Sequence, residues 1–288
     1  MENNHKTRKP LVIYDNNCID GFGAAWCFWS LFKEDMVYLP GIRGIIPSVS
    51  DFSDIYVVDF NYPKDIIEDW LSMGHNVTVI DHHVSSYKEL ISISHPLFSY
   101  RYAENRSGAV LAWYYTIYMK LRPSTEIPPL LLHIQDRDLW KFELDGTKEI
   151  IAALFSYEYD FDLYNKLILQ DMYSLASMRE TGEHILRKHF KDVEEILPQV
   201  VRNMTINGFT VPVANVPYTL ASDTSMKLSE GLLTFAAAYY DTSTHRVFSL
   251  RSHGCGLDVS KIAAIYGGGG HRHAAGFKVP REHELAKC

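Results

Sequence analysis

The chain has few cysteines, and their spacing is not typical of an extracellular protein. Only four are present among 288 residues, at positions 18, 27, 255 and 288, and none forms a CxxC pair. This scatter excludes a disulfide framework and a zinc knuckle. The cysteines therefore predict reduced thiols in a cytoplasmic protein.

Long hydrophobic runs are also absent. The first ten residues are polar and lack the apolar core of a secretory signal. No apolar run approaches the length needed to cross a bilayer, so we expect no membrane partner. The composition, with 47% hydrophobic and 22% charged residues, is typical of a globular protein. A chain of 288 residues is long for one hydrophobic core, and we expect two domains.

The chain lacks the positive charge of a protein that coats long nucleic acids, because its formal net charge is −7. The charge is uneven along the sequence: the part before Thr205 is acidic, whereas the part from Thr205 onward is slightly basic. The acidic part could hold a metal ion, and the basic part could hold a phosphate group. This combination fits a small anionic substrate.

Short β-branched runs that alternate with helical patterns predict a parallel sheet in the first half. Strands are expected over 10–14, 55–60 and 77–80, and an amphipathic helix over 64–74 connects the last two. A strand, a helix and a strand in this order form a βαβ unit. Three further helices are expected in this half: one over 23–32, one rich in aromatic residues that begins at Ser107-Gly108-Ala109, and one over 128–134.

The second half predicts a helical stretch followed by a smaller domain. The pattern is helical from about 160 to 199. After it, strands are expected over 211–214, 235–240, 246–251 and 276–279, and helices over 222–233 and 259–266. The predicted fold class is α/β. A parallel-sheet domain (1–180) is joined by a helical connector (181–204) to a smaller mixed α/β domain (205–288).

Five aspartates point to metal chemistry in the first domain. Four lie at or just after the ends of predicted strands and the fifth in a later turn: Asp15, Asp20, Asp59, Asp81 and Asp136. His82 and His83 follow Asp81 directly. Parallel strands can bring such residues together, and carboxylates with imidazoles suit Mn²⁺ or a similar ion. Two ions are a recurrent device for phosphoester hydrolysis. The alternative is that the aspartates form turns and caps and the histidines lie on the surface.

A glycine run near the C-terminus points to anion binding. Gly267 to Gly270 can expose backbone N–H groups, and His271 and Arg272 add charge-assisted donors for a phosphate. Arg251, at the end of an earlier strand, could join the same site. The run is not a Walker loop, because no Lys-Ser or Lys-Thr follows it. The alternative is a flexible linker.

These two motifs together resemble the DHH family of phosphoesterases with its DHH-associated C-terminal domain. The resemblance rests on Asp81-His82-His83 after a buried strand and on GGGGHRHAAGF over 267–277. Within the family, residues 14–22 and 135–140 are similar to the first and fourth motifs of the short oligoribonuclease, or nanoRNase, type.

The resemblance implies a two-domain enzyme with a cleft between its lobes. The larger lobe would carry two Mn²⁺ ions, for which Mg²⁺ or Co²⁺ could substitute, and the smaller lobe would recognise the end of the nucleic acid. Carried over by position, the metal ligands are Asp20, Asp59, Asp81, His82 and Asp136, with Asp15 as a further candidate. His83 would lie beside the metals or donate to the scissile phosphate. The residues implied to contact substrate are Ser107, Gly108, Gly268, Gly269, Gly270, His271 and Arg272.

The first motif departs from the family pattern. Asp15 lies near the position of a histidine, and Cys18 lies near that of the middle aspartate. The first metal would then be held more weakly, with different selectivity, or with Asp15 completing its coordination.

The function expected from the resemblance is metal-dependent hydrolysis of short oligoribonucleotides or linear dinucleotides to mononucleotides. Alternatives of the same chemistry are a 3′-phosphoadenosine 5′-phosphate phosphatase and a cyclic-dinucleotide hydrolase. An alternative of another class is a non-catalytic protein that binds or sequesters a nucleotide. The expected partners are short RNA or DNA oligonucleotides or small nucleotides, and the aromatic first lobe could supply the face of a homodimer.

Overall fold

The computed structural model describes residues 8–121, 126–169 and 172–287. The chain divides into two compact units, with the boundary between Ile185 and Leu186. This boundary falls within a long helix, α8 (Met172–Val200). The predicted limits at 180 and 205 stay a prediction. Within the described ranges, no helix combines the length and apolarity needed to cross a membrane.

The first unit contains a five-stranded sheet in the order β2-β1-β3-β4-β5. Every strand pair in it is parallel, as the βαβ pattern predicted. Its strands are β1 (Leu11–Asp15), β2 (Val37–Gly41), β3 (Asp54–Val58), β4 (Asn76–Asp81) and β5 (Phe98–Tyr102). The two edge strands, β2 and β5, were not predicted. Neither is a run of buried β-branched residues, since edge strands are less enclosed than central ones.

Seven α-helices of the first unit precede α8 in the described chain: α1 (Ile19–Phe32), α2 (Lys64–Ser72), α3 (Val84–Leu90), α4 (Gly108–Tyr118), α5 (Pro129–Asp138), α6 (Thr147–Leu154) and α7 (Phe161–Leu169). A short 3-10 helix, Lys33–Asp35, follows α1. Two of the α-helices correct the sequence prediction. α1 begins four residues earlier than expected, so Asp20 lies in its first turn rather than in a loop. α5 extends through Asp138, so Asp136 is helical rather than part of a turn.

Hydrophobic clusters cover both faces of the first sheet. Alternation along β1 sends Val12 into a cluster with Trp26 and Ala109, whereas Ile13 joins a cluster with Trp70 on the other face. A sheet that is enclosed on both faces leaves its strand ends as the place where polar groups can gather. The core therefore holds the carboxyl ends of β1, β3 and β4 in fixed positions.

The second unit contains a six-stranded mixed sheet in the order β10-β11-β9-β8-β7-β6. Only the β7–β8 pair is parallel among the pairs described. The strands are β6 (Val201–Ile206), β7 (Phe209–Asn215), β8 (Ala236–Asp241), β9 (His245–Arg251), β10 (Gly269–His271) and β11 (Ala274–Pro280), and the helices are α9 (Tyr218–Ser229), α10 (Val259–Ile265) and α11 (Glu284–Lys287). The predicted α/β class is confirmed. β6 and β10 were not predicted.

Three of the four cysteines, Cys18, Cys27 and Cys255, are free thiols, as predicted. Cys288 lies outside the described residues.

An ion pair between a buried guanidinium and a partly exposed carboxylate stabilises the second sheet. Arg246 is 5% exposed, and its guanidinium donates to both oxygens of Asp241, over 2.8 Å from Nε and 3.0 Å from Nη2. Arg281 pairs with the same carboxylate. The hydrogen bond from Arg246 is the main reason why the pKa of Asp241 falls to about 2. Folding thus favours the charged form of this carboxyl.

We predict that Asp241→Asn lowers the free energy of unfolding by about 1–3 kcal/mol at pH 7, because a buried guanidinium loses its charged partner. The contribution of Asp241 is present above the unfolded pKa of about 4 and is lost as the pH falls towards about 2. Urea unfolding across this pH window measures both effects. Asp192→Asn, which breaks the exposed pair with Lys188, is the control and should change stability by less than about 0.5 kcal/mol.

Candidate metal centre

The carboxyl edge of the first sheet gathers most of the predicted metal ligands. Asp15 ends β1, Asp59 follows β3, and Asp81 ends β4 with His82 directly after it. Three sets of side chains have potential ligand atoms within 4.8 Å of one another: Asp15, Cys18 and Asp59; Asp20, His82 and Asp138; and Asp59, Asp81, His82 and His83. Asp59 and His82 each belong to two sets, so the three sets form one contiguous cluster.

His82 lies at the centre of this cluster. Its Nε2 atom lies 3.2 Å from Asp59 Oδ1, 3.3 Å from Asp138 Oδ2 and 3.9 Å from Asp20 Oδ2. The imidazole is buried, with its side chain 4% exposed. Three carboxylates therefore surround a single ring nitrogen at distances where their negative charges act strongly on one another.

Asp59 occupies an uncommon backbone conformation and a tight space. Its φ is 54°, in the left-handed region that aspartate tolerates better than most residues. A Cβ atom added at Gly108 would lie 2.5 Å from the Asp59 Cβ, so only glycine fits there. Burial is the main reason why the pKa of Asp59 is well above its usual range, and the nearby Asp20 raises it further.

Asp20 is held by the N-terminus of α4. Its Oδ2 accepts a hydrogen bond from Gly108 N over 2.6 Å, and its Oδ1 accepts one from Ala109 N over 3.0 Å. Ser107 caps the same helix by accepting from Val110 N. Ser107 and Gly108, which were expected to contact substrate, thus lie beside the acidic cluster and help to build it. Their contact with substrate stays a prediction.

Asp81 and His83 form a hydrogen-bonded pair. The Asp81 Oδ1 atom lies 2.7 Å from His83 Nδ1 and also accepts from the backbone N–H of His82 over 2.8 Å. Burial disfavours the charged form of both side chains, but their mutual interaction outweighs it. The pKa of Asp81 is therefore lowered, and the pKa of His83 is raised.

The carboxylate that α5 adds to the cluster belongs to Asp138, not to Asp136. Asp136 instead accepts hydrogen bonds from Glu143 N over 2.8 Å, from Leu144 N over 3.0 Å and from Thr147 Oγ1 over 2.6 Å. Two residues apart on a helix point about 200° away from each other, so only one of the two aspartates can face the sheet edge. The sequence indicated that this segment carries a metal ligand, but it did not show which of Asp136 and Asp138 faces the cluster.

Two further residues near the cluster had no predicted role. Cys18 Sγ lies 3.5 Å from Asp59 Oδ2, and burial, with Asp20 nearby, raises the pKa of the thiol to about 12. The charge of Arg43, on the loop after β2, opposes the rise that burial causes in the pKa of Asp15. The arginine belongs to no recognisable motif, so no local signal in the sequence could have found it.

The residues of the cluster fit a divalent cation. Two buried carboxylate atoms, Asp59 Oδ1 and Asp81 Oδ2, accept no well-formed hydrogen bond from the described residues. Burial and then the charge of Asp20 raise the pKa of Asp138 to about 7, as expected of crowded like charges. A cation would relieve this repulsion, and oxygen with imidazole ligands suits Mn²⁺ and related ions.

The predicted phosphate-binding residues of the second unit lie along one end of its sheet. In register, Ala274 of β11 pairs with Arg251 of β9 on one side and with His271 of β10 on the other. Register partners point to the same face of a sheet, so Arg251 and His271 share a face with a small residue between them. The Arg251 guanidinium donates to Ser222 Oγ over 2.8 Å, which fixes its position.

At two positions of the glycine run, the surrounding backbone leaves no space for a side chain. A Cβ atom would lie 2.1 Å from Gly276 O if added at Gly268, and 2.5 Å from Ala274 O if added at Gly270. At Gly269 it would meet nothing within 4 Å. The second half of the run belongs to β10, which pairs with β11 in a hairpin, so the run is not a flexible linker. Gly269 and Arg272 are both exposed. Anion binding by these residues stays a prediction.

We predict that Asp138→Asn and Asp136→Asn have opposite effects. Asp138→Asn removes a charge from the crowded cluster, so it should leave the stability of the metal-free protein unchanged or higher and weaken Mn²⁺ binding at least about 10-fold. Asp136→Asn should lower stability by about 1–2 kcal/mol and leave Mn²⁺ affinity unchanged. Thermal unfolding and calorimetric Mn²⁺ titration measure the two properties. The reverse pattern would place Asp136 at the metal.

Comparisons with known proteins support the fold. No family model matches the chain. The chain is 28% identical, over an alignment of 303 positions, to the uncharacterized protein R106 of Acanthamoeba polyphaga mimivirus, and the alignment covers 95% of this chain and 68% of that protein.

Among solved structures, the chain is similar to RecJ in complex with Mn²⁺ from Thermus thermophilus, with a TM-score of 0.55 and 15% identity over 94% of this chain. It spans about half of RecJ, or 49% of that chain. It is more distantly similar to the pGpG-specific phosphodiesterase PggH from Vibrio cholerae, with a TM-score of 0.47 and 15% identity over 95% of this chain and 94% of that one. The protein thus has a DHH-like two-domain fold, which it shares with RecJ.

Proposed function

We propose that this protein is a divalent-metal-dependent phosphodiesterase of the DHH type that hydrolyses short oligoribonucleotides or linear dinucleotides to mononucleotides. The observation that carries the proposal is the convergence of buried carboxylates around His82 Nε2 at the carboxyl edge of a parallel sheet. RecJ, which has the same fold, has been solved in complex with Mn²⁺.

The cluster would hold two divalent ions, with Mn²⁺ the leading candidate and Mg²⁺ or Co²⁺ as substitutes. The residues that would hold them are Asp15, Asp20, Asp59, Asp81, His82 and Asp138. When bound, such ions polarise phosphoryl oxygens and make a water molecule acidic enough to act as a nucleophile near neutral pH. Asp59, shared between two sets of ligands, is the best-placed residue to contact both.

The surrounding residues keep this centre rigid. The N–H groups at the start of α4 fix Asp20, and the positive end of the helix favours its negative charge. Asp81 holds His83 by its Nδ1 atom, which leaves Nε2 as the atom that can face a substrate. Since the pKa of His83 is raised, its imidazolium can donate a hydrogen bond to a phosphate or a proton to the leaving oxygen.

A cluster of tyrosines beside the metal centre supports a substrate that carries bases. Tyr102 is the register partner of Asp81 on the neighbouring strand. Its ring lies 4.4 Å from that of Tyr87 at an angle of 29°, and the ring of Tyr100 lies 6.1 Å away. The three tyrosines line one cavity together with Lys88. Aromatic rings can stack with nucleic-acid bases. A substrate made only of phosphate groups would gain nothing from such rings, so their presence favours a nucleotide substrate.

The second unit supports the same substrate class through its charge. Arg251 and His271 share one face of the sheet, and Arg272 lies at the turn that follows. These side chains offer donors for the phosphates of a short oligonucleotide. A short chain suits a surface with few cations, since long nucleic acids are bound through many phosphate contacts.

We predict that the purified protein cleaves a dinucleotide RNA in the presence of Mn²⁺, Mg²⁺, Co²⁺ or Zn²⁺. Asp59→Asn should lower kcat by about 100-fold or more, because it removes a charge that the metals require. Asparagine tolerates a positive φ and matches aspartate in size, so the fold should persist. Chromatography of the products measures the rate.

The same assay should include a cyclic dinucleotide and 3′-phosphoadenosine 5′-phosphate. Faster turnover of either would replace the proposed substrate while retaining the metal chemistry. Binding of these nucleotides without turnover under any of the four ions would indicate a non-catalytic nucleotide-binding protein and reject the proposal. Activity of Asp59→Asn equal to that of the parent would also reject it.

We further predict that Tyr102→Ala raises KM for a dinucleotide about 5–150-fold, corresponding to the loss of about 1–3 kcal/mol of stacking, with a smaller change in kcat. Tyr157→Ala is the control, since Tyr157 is an exposed tyrosine on the loop after α6. Steady-state kinetics of the two variants measure the effect. Equal KM values for the two variants would show that the tyrosine cluster does not take part in substrate binding.

A further inference from the structure

Cys18 is the one sulfur ligand candidate among the metal-ligating sets of the described residues. It precedes α1 as its N-cap residue, and its Sγ atom donates to Asp59 Oδ2 over 3.5 Å. A potential ligand atom of Asp15 lies within 4.8 Å of the other two. The other two sets contain only carboxylate oxygens and imidazole nitrogens. The cluster is therefore chemically asymmetric.

Backbone hydrogen bonding and packing at the start of α1 fix the position of Cys18. Its carbonyl oxygen accepts the first hydrogen bond of α1 from Phe22 N over 2.9 Å. A Cβ atom added at Gly21 would lie 2.8 Å from Asp15 O, so the first turn of α1 packs directly against the end of β1. This packing holds the thiol between two carboxylates. By contrast, Cys27 on the same helix is buried among apolar residues and donates to Ala109 O.

A second observation at this site points to a cation. Asp59, the carboxylate that contacts Cys18, is 2% exposed, and its Oδ1 atom accepts no well-formed hydrogen bond from the described residues. A buried carboxylate oxygen without a donor is costly unless a cation compensates it. His82 Nε2 lies 3.2 Å from this oxygen without forming a well-aligned hydrogen bond, so a metal ion would supply the positive charge that the oxygen lacks.

We propose that Cys18 binds a divalent metal ion as a thiolate, together with Asp15 and Asp59, and that this position prefers a thiophilic ion such as Zn²⁺ or Co²⁺ over Mn²⁺ and Mg²⁺. The inference rests on the proposed function, since it concerns one half of the same metal cluster. Binding forms an Sγ–metal bond and releases the thiol proton to solvent, with no change in oxidation state. A thiolate ligand selects softer ions, whereas the set of Asp20, His82 and Asp138 suits Mn²⁺.

Cobalt spectroscopy of the full chain tests this assignment without measuring activity. Metal-free protein is titrated with Co²⁺ in a non-thiol reductant, and both the visible d–d bands and the near-ultraviolet thiolate-to-cobalt charge-transfer band are recorded. We expect both in the parent protein. Cys18→Ser should lose the charge-transfer band and keep d–d bands from the oxygen and nitrogen ligands. Cys27→Ala and Cys255→Ser are the matched controls and should keep both.

A competition experiment measures the selectivity. Zn²⁺ competes against Mn²⁺ for the parent protein and for Cys18→Asp, which replaces the sulfur ligand with an oxygen ligand. The preference for Zn²⁺ should fall at least about 10-fold in the variant. An unchanged preference would overturn the assignment of selectivity to Cys18, whether or not Cys18→Ser folds.

The outcomes separate this inference from the proposed function. Visible d–d bands without a charge-transfer band in the parent would overturn the role of Cys18 and leave the metal-dependent function standing. A charge-transfer band that persists in Cys18→Ser would assign it to another sulfur and also overturn the inference. No cobalt binding at all would overturn both.

Discussion

The crowding of negative charge around one imidazole is the constraint on which the first unit depends. Carboxylates from three different elements lie within 4 Å of His82 Nε2 in a buried environment. Without a cation this arrangement is unfavourable, since burial, and after it the charge of Asp20, raise the pKa values of Asp59 and Asp138. A protein that keeps such a cluster at the carboxyl edge of its sheet gives up stability in the metal-free state. Metal binding would offset that loss, and the same repulsion would then become a source of metal affinity.

The fold supplies the rigidity that the cluster requires. Hydrophobic packing on both faces of the sheet fixes the strand ends, and the N-terminus of α4 holds Asp20 by two backbone hydrogen bonds. Gly108 serves two purposes, because its N–H donates to Asp20 and the absence of its side chain leaves space for Asp59. Ligand geometry held in this way by backbone groups needs little reorganisation when an ion or a substrate binds.

Substrate recognition in the proposed function is divided between the two units. In the first, tyrosines next to Asp81 offer flat surfaces for bases. In the second, Arg251 and His271 are aligned across Ala274 and offer donors for phosphate. In each unit, the pairing of neighbouring strands places these side chains on a common face, although they are far apart in sequence. In the proposed function the metal chemistry would be common to all the candidate substrates, and the tyrosines and cationic side chains would determine which nucleotide is bound.

The sequence by itself determined the parallel sheet, the α/β class, and the placement of Asp15, Asp59, Asp81 and His82 at strand ends, because buried β-branched runs and the polar residues after them are local signals. It also predicted the strand nature of 276–279. Only the tertiary structure decided which of Asp136 and Asp138 enters the cluster, since that depends on the phase of α5 against the sheet. The same holds for Cys18 and Tyr102. Their neighbours in space are Asp59 and Asp81, and contacts between distant segments are set by packing, which no local pattern encodes.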